Sequence, residues 1–283
     1  MLQIGKVNKL IVNSKGTDGY SLRPEASEEQ VFLPLRHAPK ELKTEEKLEV
    51  FVYLDTNTER LLASGAIPKA QVGEYACLQV VEAPEFGAFL DWGMEKDLLV
   101  PGNEQKVKLR VDDWALVKIC FEEGTNRIYG TTKLGKHLEA TDFDIEENSK
   151  VDIVPVQHSD LGYRTIINKK YLGMLYKSEV FQQIELDKRY RGYVKKIRQD
   201  GLVDVALQPQ GARNLFESKD KVLLEIKKHG GKIPLTDKSS PEDIYEMFAM
   251  SKKTFKAAVG MLYKDRKIVI NKDSIELAGP EKA

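Results

Sequence analysis

An internal threefold repeat of short strand-forming segments constrains this chain more than any other feature. The first copy reads IGKVNKLIVNSKGTDGYSLRP, then QVFLP, then KLEVFVYLDTNTERLLAS. The second reads VGEYACLQVVEAPEFGAFLDW, KDLLVP and WALVKICFEEGTNRIYGTT, and the third KVDIVPVQHSDLGYRTIIN, YLGMLY and RYRGYVKKIRQDGLVDVAL. Each copy has a strand, a Gly-aromatic turn into a second strand, a short third strand and a closing hairpin. The Gly-aromatic elements are Gly19-Tyr20, Gly87 with Phe89, and Gly162-Tyr163, and the hairpins turn at Asn57, Asn126 and Gly201. Leu61, Ile128 and Leu202, which follow those turns, are 67 and then 74 residues apart, one small barrel per copy.

Five short strands with a connector between the third and fourth describe an OB-type barrel, and closure removes the exposed edges of an open sheet. After Gly211 the period changes from two to helical. Ser218 is placed to cap a first helix carrying Val222, Leu223 and Ile226, which Gly230-Gly231 stops. Ser240-Pro241-Glu242-Asp243 opens a second helix, with proline at its first position and acids at its positive end. Ser251 caps a third, with Phe255, Val259 and Leu262 on one face, and a hairpin follows from Ile268 to Leu277 around Asn271-Lys272-Asp273. Three helices and a terminal hairpin are the plan of a winged helix. The expected fold is therefore mainly β and multidomain: three tandem S1-like OB barrels at 1–66, 67–147 and 148–211, then an α+β winged-helix domain at 212–283.

In its second copy the chain resembles the S1 RNA-binding subfamily of OB folds, through Phe86-Gly87-Ala88-Phe89 following VGEYACLQVVEAPE. The resemblance implies that Phe86 and Phe89 stack on bases from the outer barrel face, with Arg127 on the last hairpin and Glu123 four positions before it completing the patch. Regular pleating would send Phe86 and Phe89 to opposite faces, so a bend at Gly87 is implied by the resemblance alone. The family's histidine after the third strand falls near Val100; the first copy has Tyr20 and Arg60 without the FGAF string, and the third has Gly201 in place of the arginine. Over nearly its whole length the chain is similar to the bacterial conserved virulence factor B (CvfB) family, through GYSLRP, FGAFLDWG, DLLVP, LGYRTIINKKYLGMLY and IRQDGLVDVALQP. That family is regarded as RNA-binding and as affecting the expression of other genes, and it implies no catalytic activity.

Charge divides the chain. The 44 basic and 44 acidic residues cancel, yet the four segments carry −1, −7, +4 and +4. A polyanion is then expected to be held mainly by the second half; an acidic domain packing on a basic one is the alternative. In the third copy, Tyr163, Arg164, Lys169 and Tyr171, and later Arg189, Arg191 and Lys195, interleave aromatic and basic side chains as a stacking groove for single-stranded RNA would. A solvated charged hairpin explains the same residues. At the third helix of the tail, Lys252, Lys253 and Lys256, with Lys272 in the hairpin, offer phosphate contacts to duplex nucleic acid or a surface for a protein. No Arg, Asn or Gln in the first turns of that helix supplies bidentate base reading.

Other chemistry is poorly supplied. Gly130 to Lys136 begins like a phosphate loop, but His137 stands where magnesium chemistry needs Ser or Thr, so the segment reads as a linker. His37, His137, His158 and His229 lack ligand spacing and read as solvent-facing or satisfied; Cys77 and Cys120 read as buried small hydrophobes. Trp92 reads more readily as core than as a stacking platform. No metal, cofactor or catalytic constellation is expected, and an enzyme is disfavoured. No apolar run approaches the roughly 20 residues of a membrane span, and MLQIGKVNKL is no secretory leader, so a cytoplasmic location is expected. The expected function is single-stranded RNA binding with a regulatory consequence; a DNA-binding regulator led by the winged helix, or a protein-binding scaffold, is the alternative.

Overall fold

The structure is a computed structural model describing residues 1–278 apart from 40, 57, 139–141, 181 and 210–211; the side chains of 212–217 are also outside the described set. The turn expected at Asn57 thus lies outside the described residues. Two compact units emerge: residues 1–142 with 166–172, and residues 143–165 with 173–283.

In the first copy β1 (Lys6–Lys15), β2 (Gly19–Arg23), β3 (Val31–Pro34), β4 (Lys47–Asp55) and β5 (Arg60–Ser64) close into a barrel in the order β1-β2-β3-β5-β4, with β3 and β5 parallel. The second uses β6 (Tyr75–Glu82), β7 (Gly87–Asp91), β8 (Leu98–Pro101), β9 (Trp114–Glu122) and β10 (Arg127–Thr131), as a five-stranded sheet in the order β10-β9-β6-β7-β8. Its seam is side-chain packing: a Cβ on Gly130 would come within 2.8 Å of Val100 and 3.0 Å of Leu98. The third copy, β11 (Lys150–Ser159), β12 (Gly162–Ile167), β13 (Tyr171–Tyr176), β14 (Tyr190–Ile197) and β15 (Val203–Ala206), closes as the first does. A 3-10 turn follows the third strand of every copy, at Leu35–His37, Gly102–Glu104 and Lys177–Glu179. Asn126 (φ 55°) and Gly201 (φ 79°) make the left-handed turns expected of them.

Alternation along the strands builds the cores. Leu10, Val12, Leu22, Leu33, Val50 and Val52 fill the first barrel, and Leu78, Val80, Leu90, Val100, Val117 and Ile119 the second. Phe51, between Val50 and Val52, is fully buried against the second core instead, its ring edge-on to Trp92 at 5.6 Å. The run Val50-Phe51-Val52 is apolar on both faces because β4 has a barrel on each side. Trp92 is core, as its sequence context favoured, with its indole N–H donating to the Lys96 carbonyl at 2.7 Å.

The repeated glycines answer to close approach. A Cβ on Gly87 would lie 2.8 Å from the carbonyl oxygen of Val100, and Gly19 and Gly162 meet Leu33 and Leu175 carbonyls in the same way. That register corrects the sequence reading of the Gly-aromatic pairs. Gly19 lies opposite Pro34 and Gly87 opposite Pro101, so Tyr20 corresponds to Ala88, and Phe89 to Ser21. Tyr20 is accordingly core, 1% exposed, its hydroxyl accepting the Leu42 N–H at 3.2 Å.

The tail is a winged helix of α1 (Ala212–Lys228), β16 (Lys232–Ile233), α2 (Pro241–Phe248), α3 (Lys252–Lys264), β17 (Ile268–Ile270) and β18 (Ile275–Leu277). Ser240 caps α2 by accepting the Asp243 N–H, and Ser251 caps α3 by accepting that of Thr254. Ser218 does not cap α1. The helix begins six residues earlier, and Ser218 is buried within it. Val222, Ile226, Ile244, Phe248, Phe255, Val259 and Leu262 form the core. Among the described residues, no helix is long and apolar enough to cross a membrane.

Candidate nucleic-acid interface

On the second barrel the two aromatics come together. Phe86 is not in a strand: the Gly87 N–H donates to the Pro84 carbonyl at 3.2 Å, closing a turn, and the Gly102 N–H holds the Phe86 carbonyl at 2.8 Å. Pleating therefore does not govern its direction. Its ring meets that of Phe89 edge-to-face, with centroids 6.0 Å apart and planes at 84°. Phe86 is 64% exposed and Phe89 partly so, which leaves aromatic surface for a base.

Arg127 opens β10 opposite Glu122 and is exposed, as is Glu123 in the hairpin. Among the described residues the Arg127 guanidinium has no ion pair. Arg127 and Phe89 line one cleft, together with Glu82, which pairs with Phe89 across the strands, and Asp97. Burial, and then the nearby Asp91 and Glu82 charges, push the Asp97 carboxyl up. Asp91 is held down instead, first by a hydrogen bond from Lys69 at 2.8 Å and then by the Gly93 N–H. The barrel's −7 therefore includes carboxylates beside the aromatic face, and Arg127 is a cation in that cleft with no ion pair among the described residues.

Three of the third barrel's expected cations are engaged. Arg189 is bonded to Asp152, and Lys195 to Glu179 at 2.5 Å. The bond from Arg189 lowers the Asp152 carboxyl. The Lys169 ammonium donates to the Lys69 carbonyl at 2.8 Å. Tyr171, expected as a stacking platform, is 5% exposed and belongs to the core, because it starts β13 pointing inward. Tyr163 is half-buried against the His158 ring at 4.9 Å. Arg164 is exposed, and along β14 Gly192 and Val194 face inward while Arg191 and Tyr193 face outward. In the winged helix, Lys252 donates to the Lys238 carbonyl at 3.3 Å and Lys256 pairs with Asp237 at 3.6 Å. Lys253 and Lys272 are exposed.

Sequence reasoning missed two things. Phe32 is 41% exposed on the first barrel, at the position Leu99 takes in the second. His37 is neither solvent-facing nor satisfied: its side chain is 9% exposed and its Nδ1 has no hydrogen-bond partner.

Comparison with known proteins places these features in a context. Residues 4–64 match the S1 domain family and residues 220–277 the CvfB-like winged helix domain family. The Bacillus subtilis protein YitL is 27% identical over 277 residues, covering 93% of this chain and 90% of that one. Conserved virulence factor B of Staphylococcus haemolyticus is 26% identical over 244 residues, covering 84% and 81%. A crystal structure of a multidomain protein with nucleic acid binding domains from Streptococcus pneumoniae aligns over 97% of this chain and 98% of its own, at 20% identity and a TM-score of 0.39. The resemblance expected from the sequence is thus found over most of the chain, and the S1 and winged-helix matches support nucleic-acid binding. The S1 match falls on the first barrel, which lacks the FGAF string.

Proposed function

We propose that this chain, similar over most of its length to the conserved virulence factor B proteins, binds single-stranded RNA without catalysis and thereby influences gene expression after transcription, in the cytoplasm. Bases stack on Phe86 and Phe89, and Arg127 takes a neighbouring phosphate, with Glu123 beside it in the hairpin. The observation that carries this reading is the edge-to-face pair, Phe86 exposed and Phe89 partly so, in a region with a guanidinium that has no ion pair among the described residues. A base–aromatic stack is worth about 1–3 kcal/mol, and phosphate neutralisation adds a salt-dependent contribution.

Arg164, Arg191 and Tyr163 on the third barrel extend the contact weakly. Several modest sites on one chain reach useful avidity because the second contact is intramolecular. The four-domain division at 1–66, 67–147, 148–211 and 212–283 is part of this proposal. The test is a fluorescence-anisotropy titration of the full chain and of F86A/F89A with single-stranded RNA, single-stranded DNA and duplex DNA. RNA binding lost in the double variant, with an unchanged circular-dichroism spectrum, supports the reading; equal binding by both proteins contradicts it.

A second reading rests on Lys253 and Lys272, exposed at the start of α3 and in the β17–β18 turn. They suit sequence-independent phosphate contact with a duplex, and duplex preference lost in K253A/K272A would move the function to the winged helix.

A further inference from the structure

The cleft that receives Phe89 and Arg127 has a second wall that no base-stacking motif marks. It encloses about 1120 Å³, and its far side belongs to the first barrel of the same compact unit, including Arg36, His37 and Tyr53. That volume exceeds the roughly 300–1,000 Å³ of a pocket for one small ligand, so more than one nucleotide fits.

Three observations give the wall its chemistry. Tyr53 is partly exposed and lies stacked on Phe51, with centroids 6.1 Å apart and planes at 16°; Phe51 in turn abuts Trp92. The aromatic surface is therefore backed by core and costs little to order. Next, Glu95 Oε2 lies 2.5 Å from His37 Nε2 and 3.7 Å from Arg36 Nε, and the Arg36 Nε–H donates to His37 Nε2 at 3.1 Å, so one carboxylate oxygen occupies an anion position beside the Arg36 guanidinium and the His37 ring. The Glu95 side chain is 63% exposed and has solvent to move into. Finally, the buried Nδ1 of His37 has no hydrogen-bond partner among the described residues, so its bonding capacity is unmet. Lys96 joins Asp55 at 2.5 Å across the same cleft and ties the two barrels together there.

We propose that single-stranded RNA leaving Phe89 and Arg127 continues into this cleft, setting a base against Tyr53 and a phosphate on Arg36 and His37 in place of the Glu95 carboxylate. The proposal rests on the second-barrel reading and extends it: the first barrel supplies the far wall of a shared path. The carboxylate is then an internal competitor, which phosphate displaces and whose removal favours the ligand. RNA is the occupant that fits a flat aromatic wall, an arginine beside a histidine for an oxyanion, and direct continuity with the Phe89 platform.

The test uses the full chain and labelled oligouridines of about 4 and about 12 nucleotides, spanning the site sizes of single OB folds. The shorter probe covers the Phe86–Phe89 platform alone. R36A is expected to leave the 4-mer unchanged and weaken the 12-mer about 5- to 10-fold, and E95Q to tighten the 12-mer about 2- to 5-fold. Both residues are exposed, so neither change threatens the fold. If R36A and E95Q bind the 12-mer as the wild type does while F86A/F89A loses both probes, the cleft proposal is overturned and the second-barrel reading stands. If F86A/F89A binds both probes unchanged, the second-barrel reading fails and takes the shared path with it.

Discussion

The second and third barrels reverse what their net charges promise. At −7, the second presents exposed Phe86 and partly exposed Phe89, with an arginine lining the same cleft as Phe89 that has no ion pair among the described residues. At +4, the third has its tyrosine platform in the core, and Arg189 and Lys195 neutralised by Asp152 and Glu179. Net charge sums over side chains whatever they are doing. A nucleic acid meets only those that are exposed and unspent, next to a flat surface on which a base can rest.

The comparison can be broken at its strongest point first. Tyr171→Ala removes a buried ring and should destabilise the third barrel by about 3–5 kcal/mol, as large core truncations do. RNA affinity measured below the melting temperature should stay within about threefold, because the ring meets no ligand. Chemical denaturation and anisotropy on the same variant check both halves. F86A/F89A should do the reverse, losing RNA affinity about 10- to 100-fold while its midpoint of unfolding hardly moves.

Arg127→Ala against Arg189→Ala sharpens the cation argument. Losing Arg127 should weaken RNA binding several-fold and lower the salt slope by about 0.7, the value for one phosphate on a single strand. Losing Arg189, already bonded to Asp152, should change affinity by less than about twofold. Titrations at two salt concentrations separate the two variants.

The smallest effect concerns two carboxylates of the second barrel. Asp91 is held below its ordinary range in the fold by Lys69 and the Gly93 N–H. Its contribution to stability is present above the unfolded carboxyl range, near pH 4, and is lost as pH falls through the depressed folded value. Asp97 is raised by burial and like charge, so the folded state takes up its proton more readily, and its penalty at neutral pH is relieved on acidification. Asp97→Asn should therefore raise the melting temperature at pH 7 by about 1 °C, and Asp91→Asn should lower it by a similar amount. Thermal melts at pH 7 and pH 4 would show Asp97→Asn approaching the wild type at the lower value, while Asp91→Asn stays below it until the pH falls under the ordinary carboxyl range.

Much of the fold was legible because it is written locally. Strand alternation and the serine caps at Ser240 and Ser251 act over a few residues, and the glycines recur at fixed places in each repeat. The site was legible only in part, and most of the losses depend on what lies opposite. Gly19-Tyr20 resembles Gly87 with Phe89 along the chain, but pairing with Pro34 and Pro101 shifts the aromatic by one and sends Tyr20 into the core. Phe86 was predicted to need a bend, and a turn from Pro84 to Gly87 supplies it. The partners of Arg189 and Lys195 lie 37 and 16 residues away, beyond any spacing rule. Ser218 failed as a cap because α1 extends six residues further back than its apolar stripe indicated.

The most direct test of the central claim is photocrosslinking of the full chain to a 4-thiouridine-substituted single-stranded RNA, with the modified peptides mapped by mass spectrometry. The account predicts adducts in the segment around Phe86 and Phe89 and at Arg127, suppressed by unlabelled RNA. Competed adducts confined to residues 148–211 would contradict it and return the binding face to the barrel that net charge alone would have chosen.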